Sequence, residues 1–196
     1  MLKSNVIIVS GKIVKTTAIN QNKKKGIRST LETTDSQGNK SWFVIDAADD
    51  LAQDMKKFAH VIVKGRICYE KNEANTLVYV KANEIHPVNG MIPLNNVTLS
   101  GNVTRDIEMR SVPNKNGGDD YTVSKTVLAF NDFSGNTHFV SVEAWEGLAK
   151  STENLMKGST VEVRGRLIQK SWDNGNSSMV MIRANEIDFV RKPARK

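Results

Sequence analysis

Val61-Ile-Val-Lys-Gly-Arg-Ile67 and Val161-Glu-Val-Arg-Gly-Arg-Leu167 are one strand written twice, 100 positions apart. In the second, apolar residues alternate with polar ones, the period of a half-buried strand; in the first, Ile62 adds an apolar residue to the other face. In both, a glycine stands mid-strand, which marks a bulge or a tight bend at a barrel corner. Three further pairs recur in the same order: Ser10-Gly11 with Ser100-Gly101, Gly38-Asn39 with Gly135-Asn136, and Ala82-Asn-Glu-Ile85 with Ala184-Asn-Glu-Ile187, at offsets of 90, 97 and 102. Four ordered matches with a slowly rising offset read as a duplicated module, lengthened in its second copy.

Each copy reads as three strands, a helix and two strands. The first copy predicts strands over Asn5–Lys15, Ile27–Thr34, Ser41–Ala47, His60–Cys68 and Thr76–Ile85, with a helix over Ala48–Phe58. The second predicts Asn96–Arg105, Tyr121–Asn131, Thr137–Ala144, Thr160–Lys170 and Ser178–Phe189, with a helix over Trp145–Met156. Five strands with one short helix after the third is the order of an OB-fold, a small bent barrel. The fold class is therefore all-β: tandem five-stranded OB-fold barrels. The prolines and glycine of Pro87–Pro93 break structure between the copies. The division is 1–88 for a diverged OB-fold, 89–94 for a linker, 95–190 for the second OB-fold and 191–196 for a short basic tail. Arg105–Asp120 is expected to be a mobile polar loop, and Asn174-Gly175 is a hairpin turn.

The 196 residues carry 28 Lys+Arg against 21 Asp+Glu, a net charge of +7, with 39% hydrophobic residues and a mean hydropathy of −0.40. That composition supplies real cores and excludes wholesale disorder. The excess charge suits either a polyanionic partner, nucleic acid first, or simple solubility. A single cysteine, Cys68, excludes an intrachain disulfide framework and fits a reducing cytosol. The apolar stretch Val6–Val9 is too short for a signal peptide, so a cytoplasmic, nucleoid-associated location is expected.

Period-two sorting of the strands separates core from surface. In the second copy Val140, Val142, Ala144, Val161, Val163 and Leu167 point inward, with Phe130 and Phe189 also assigned to the core. Phe139, Ser141, Glu143 and Trp145 point outward, as do Arg164, Arg166 and Lys170; Trp172 follows on the last hairpin and Phe133 lies in the turn Asn131–Asn136. Rings interleaved with cations are the composition of a single-stranded nucleic acid site, where rings stack on bases and Lys or Arg neutralises phosphates. In the first copy Ile7, Val9, Ile13, Phe43, Ile45, Val61, Val63 and Ile67 form the core. Trp42 matches Phe139, but Ala48 stands where Trp145 stands, and Val6, Ile8, Val44 and Ile62 make the outer face apolar, which points to a covering contact. Lys23–Lys25, Arg28, Lys64 and Arg66 are its candidate phosphate contacts, the lysine run fitting a solvated loop equally well.

Residues 96–190 resemble the bacterial-type single-stranded DNA-binding protein family. The resemblance rests on Leu99-Ser-Gly-Asn-Val-Thr-Arg-Asp-Ile-Glu-Met-Arg110 with Pro113, on Val123–Asn131, Val142-Glu-Ala-Trp-Glu-Gly-Leu-Ala149 and Lys157-Gly-Ser, and on Val163–Leu167, Ser171-Trp172 and Ala184–Ile187. The first copy is similar to a diverged member, with Lys15-Thr-Thr-Ala in place of the Arg-Asp-x-Glu-x-Arg segment. The resemblance implies single-stranded DNA binding with little sequence preference, in replication, recombination or repair. It implies stacking by Phe139, Trp145, Trp172 and Phe133, with Trp42 as the first copy's counterpart. Phosphate contacts are expected from Arg105, Arg110, Lys125, Arg164, Arg166 and Lys170, and from Lys64 and Arg66. It also implies a homodimer carrying four OB-folds. Family members end in an acidic tip that recruits replication and repair proteins. Here the end is the basic Arg191-Lys-Pro-Ala-Arg-Lys196, so recruitment through such a tip is not expected.

No nucleotide-binding loop, nucleophile elbow or metal-ligand spacing occurs in the sequence. His60, His86 and His138 are scattered, so no catalytic residue, metal or cofactor is predicted. An OB-fold scaffold for a replication or recombination partner and a single-stranded RNA binder remain as alternative functions.

Overall fold

The computed structural model describes residues 4–21, 24–71, 76–114, 116–132, 135–172 and 177–191. Phe133, Lys23, the Asn174-Gly175 turn and the tail 192–196 lie outside the described residues, as do the side chains of Lys24 and Trp172. The chain divides into two compact units. One is Asn5–Asn96 together with Gln169–Val180; the other is Val97–Ile168 together with Ser4 and the chain from Met181 onward.

In the first unit the elements are β1 (Asn5–Gln21), β2 (Lys24–Thr34), β3 (Lys40–Ala48), α1 (Asp49–Ala52), β4 (His60–Lys71) and β5 (Thr76–Val88). β1 pairs antiparallel with β2 and β4, β2 pairs antiparallel with β3, and β4 with β5. Ile45 and Asp46 of β3 then pair parallel to Val80 and Lys81 of β5, which closes the ring. The eight expected core residues of this copy are all buried.

The second unit holds most of β6 (Asn95–Val103), β7 (Glu108–Val112), β8 (Tyr121–Asn131), β9 (Thr137–Trp145) and α2 (Glu146–Ser151), and the barrel portions of β10 (Thr160–Trp172) and β11 (Ser177–Arg191). Its ring is the same: β6 pairs with β8 and β10, β8 with β9, β10 with β11, and Ser141–Glu143 of β9 run parallel to Met181–Arg183 of β11. Both barrels have the OB-fold connectivity.

Four sequence expectations are corrected. The helices are much shorter than expected, four and six residues. In the first copy Phe58 has a φ of 70°, which no helix accommodates, and Met55 turns inward to fill the core. In the second copy Thr152 stops α2: its hydroxyl donates to Ala149 O at 2.7 Å and contacts Ser124 Oγ at 2.9 Å, inside the barrel. The supposed polar loop Arg105–Asp120 contains β7, an edge strand whose residues are mostly exposed, so no apolar period announced it. β5 runs through Pro87 to Val88 rather than breaking at the proline. Phe189, expected in the core, is 48% exposed, because β11 outruns its barrel.

The strand glycines explain how the barrels bend. A Cβ on Gly65 would collide with the carbonyl oxygen of Lys81, and one on Gly165 with that of Arg183. The fourth strand thus lies against the backbone of the fifth, and β4 shifts register against β5 between Lys64 and Gly65. Backbone cannot retreat as a side-chain tip can. Gly165→Ala is expected to destabilise the protein by about 1–3 kcal/mol. Gly147→Ala, with nothing within 4 Å of the added methyl, is expected to be neutral or stabilising. Urea unfolding of the two variants checks both.

Candidate nucleic-acid interface

Residues directly opposite on antiparallel strands share a face. Trp145 therefore stands with Val123 and Arg110, and Glu143 with Lys125 and Glu108, on the outward face of β7, β8 and β9. Arg183 joins this face from β11 through its parallel pairing with Glu143. Four side chains build its centre. The edge of Tyr121 meets Trp145 at 5.9 Å between centroids with an interplanar angle of 61°. The Arg183 guanidinium lies 5.0 Å from the indole centroid. The indole Nε1–H donates to Glu143 Oε1 at 3.0 Å, and Arg183 Nε donates to the same oxygen at 2.8 Å, with its Nη2 also 2.8 Å away.

Glu143 corrects the period-two reading. It lies on the outward face as expected, yet its side chain is 0% exposed. The indole and the guanidinium roof it over. A buried carboxylate is tolerated because a charge and an N–H donor both face it. Arg183 and Tyr121 were missed in the sequence. Arg183 immediately precedes the Ala184 repeat, and Tyr121 opens a strand, so neither stood in a ring-and-cation pattern along one strand.

The other expected residues divide. Phe139 is 36% exposed on β9, and Trp42 is 43% exposed on β3 of the first unit. Arg105 and Arg166 are exposed, while Lys125, Lys170 and Arg66 are half-buried. Arg164, Arg110 and Lys64 are paired with acids. Arg164 lies 2.7 Å from Glu162 and 2.9 Å from both Glu186 and Asp188. Arg110 pairs with Glu108, whose carboxyl this holds below its ordinary range. Lys64 pairs with Glu84 at 3.0 Å and does the same there. Glu162 is also lowered, first by the Ser4 hydroxyl at 2.8 Å and then by Ser100.

The first unit fills the corresponding place differently. Asp46 occupies the β3 position that Glu143 holds on β9, as their parallel partners Lys81 and Arg183 show. There Arg28 forks onto Asp46 at 2.7 and 2.8 Å, reaches Glu70 at 3.0 Å and lies 5.3 Å from the Tyr79 ring centroid. The paired carboxylates raise Arg28 further above its ordinary pKa, and burial pushes the Tyr79 phenol up to about 12. Arg28 is thus held in an ion cluster rather than presented to phosphate, and Ala48 stands where a ring would be.

Two OB barrels, one with an outward ring locked beside a guanidinium, define a tandem OB-fold protein. Residues 94–190 match the Single-strand binding protein family. The second module carries this family's pattern. It is 39% identical over 106 residues to the single-stranded DNA-binding protein of Thermus thermophilus, across 52% of this chain and 38% of the relative. It is 30% identical over 165 residues to that of Thermus aquaticus, across 72% and 61%. The chain therefore spans less than two thirds of these relatives' length. The crystal structure of the wild-type Thermus aquaticus single-stranded DNA binding protein superposes with a TM-score of 0.78 at 25% identity, covering 100% of this chain and 98% of that one. Among the described residues no helix is long and apolar enough to cross a membrane, and no cluster of His, Cys, Asp and Glu is placed to hold a metal.

Glu143→Ala removes the common acceptor of the indole and the guanidinium. It is expected to cost about 1–3 kcal/mol and to shift Trp145 emission, while Glu143→Gln, which keeps an acceptor for the indole, costs less. Urea unfolding followed by tryptophan fluorescence checks the order.

Proposed function

We propose that the protein binds single-stranded DNA without reading its sequence, in the service of replication, recombination or repair, and catalyses no reaction. The observation that carries this reading is the outward Trp145–Arg183 pair, held by buried Glu143, on the barrel that matches the family. Bases stack on Trp145 and Phe139, with Trp172 and Phe133 as the family resemblance implies, and Trp42 on the first barrel. Arg105, Lys125, Arg166, Lys170 and Arg66 approach phosphates, while Arg183, already paired with Glu143, holds the indole in position for stacking. Arg164, Arg110 and Lys64 contribute less, because each already faces a carboxylate. Stacking tolerates any base, and neutralisation of phosphates supplies a sequence-independent attraction. Two chains give a homodimer of four OB-folds in the cytoplasm.

Adding oligo-dT at low salt is expected to quench tryptophan emission, and unchanged emission would overturn the reading. Trp145→Ala and Trp172→Ala should each weaken binding by about 1–3 kcal/mol. Arg183→Ala should weaken binding more than Arg164→Ala. The log–log salt slope should be near −0.7 per phosphate contact. Light scattering with and without oligo-dT reads the dimer, and competition by oligo-U reads any preference for RNA.

A further inference from the structure

Phe58 is 60% exposed, and its φ of 70° lies where side chains are rarely found. The second unit shows what this position ordinarily takes. There Gly158, at φ 88°, donates its N–H to Val103 O at 2.8 Å, and Val103 N–H donates to Ser159 O. In the first unit Phe58 N–H donates to Ile13 O at 2.6 Å, and Ile13 N–H donates to Ala59 O. The backbone is the same, 100 positions earlier, and only the residue differs. A large ring stands where glycine is the unstrained choice, yet it fills no core.

What surrounds the ring points to a ligand. Lys57 Nζ lies 4.9 Å and Lys12 Nζ 5.2 Å from its centroid. Lys12 is directly opposite Glu32 on β2, and Glu32 is opposite Trp42 on β3, so these stand in one row across the sheet. Glu32 is held by Lys40 at 3.0 Å, which leaves the row cationic. At roughly 4.8 Å per strand, Trp42 is about 10 Å along that row from Lys12. Two exposed rings separated by ammonium groups make a surface for a polyanion with flat substituents.

We propose that Phe58, Lys12 and Lys57 form a further contact for single-stranded DNA on the first barrel, leading to Trp42 and away from the ion-paired Arg28 cluster. A base stacks on Phe58, displacing one ammonium towards the neighbouring phosphate. The inference rests on the proposed DNA binding by the second barrel and extends the bound strand onto the first.

The test uses the full chain and compares Phe58→Gly, Phe58→Trp and Trp145→Ala with the parent, on short and long oligo-dT. Phe58→Gly takes the residue the backbone favours, so its melting temperature should not fall. It should weaken binding of long oligo-dT roughly fivefold or more, the equivalent of one lost stacked base, and leave short oligo-dT bound as before. Phe58→Trp, which keeps a ring, should retain affinity and add emission that oligo-dT quenches. Replacing Lys12 and Lys57 with Gln should reduce the salt slope by about 1.4 for two lost contacts. Phe58→Gly binding long oligo-dT as tightly as the parent, while Trp145→Ala weakens it, would overturn this contact and leave the second barrel's role intact. A parent chain that binds neither length would overturn both.

Discussion

Each barrel depends on a very short parallel pairing between its third and fifth strands. Ile45–Asp46 with Val80–Lys81 closes the first, and Ser141–Glu143 with Met181–Arg183 closes the second. The first strand of each ring also reaches the fourth, antiparallel, across the elements between them. The parallel pair brings segments together across the helix and the fourth strand, which is costly in loop entropy. The glycine on each fourth strand makes it possible by letting backbone lie against backbone. Where closure occurs, the outward residues are an acid and a cation side by side, so the joint that completes each barrel also sets its electrostatics.

The two copies use that joint in opposite ways. In the second, the acid is buried under an indole and a guanidinium and fixes both, leaving an aromatic ring at the surface. In the first, the acid takes Arg28 from β2, Glu70 adds a second carboxylate, and no ring follows because Ala48 ends the strand. The same frame therefore offers one face suited to stacking and one closed by ion pairing. The charge distribution agrees: the first 90 residues carry 14 basic and 9 acidic residues against 14 and 12 in the rest, yet the aromatic–guanidinium face is on the less basic part. Local pairing, rather than net charge, decides which cations are presented.

Much of this was legible in the sequence. Duplication, strand order and inward residues were written in the period-two pattern and in the repeated glycines, because burial on one face enforces alternation. The rings of β9 were legible for the same reason. What alternation could not show is a residue on the outer face that becomes buried. Glu143 reads as exposed until Trp145 and Arg183, one on its own strand and one from β11, close over it. Arg164 reads as a free cation until Glu186 and Asp188 arrive from β11. β7 was hidden because an exposed edge strand has no apolar face to repeat. The short helices were misread because α1 gives way to turns in which Asp54 and Met55 N–H donate to Leu51 and Ala52 O, and Thr152 ends α2 through a side-chain hydrogen bond, neither of which disturbs a hydrophobic pattern.

Cys68 lies on β4 with 4% of its surface exposed, in the barrel that lacks the Trp145 assembly. A thiol so enclosed reacts with a labelling reagent only when that barrel opens. The rate of thiol modification is therefore a clock for opening of the first module alone. The native chain thus carries its own reporter for that barrel, and its opening can be followed without introducing a probe.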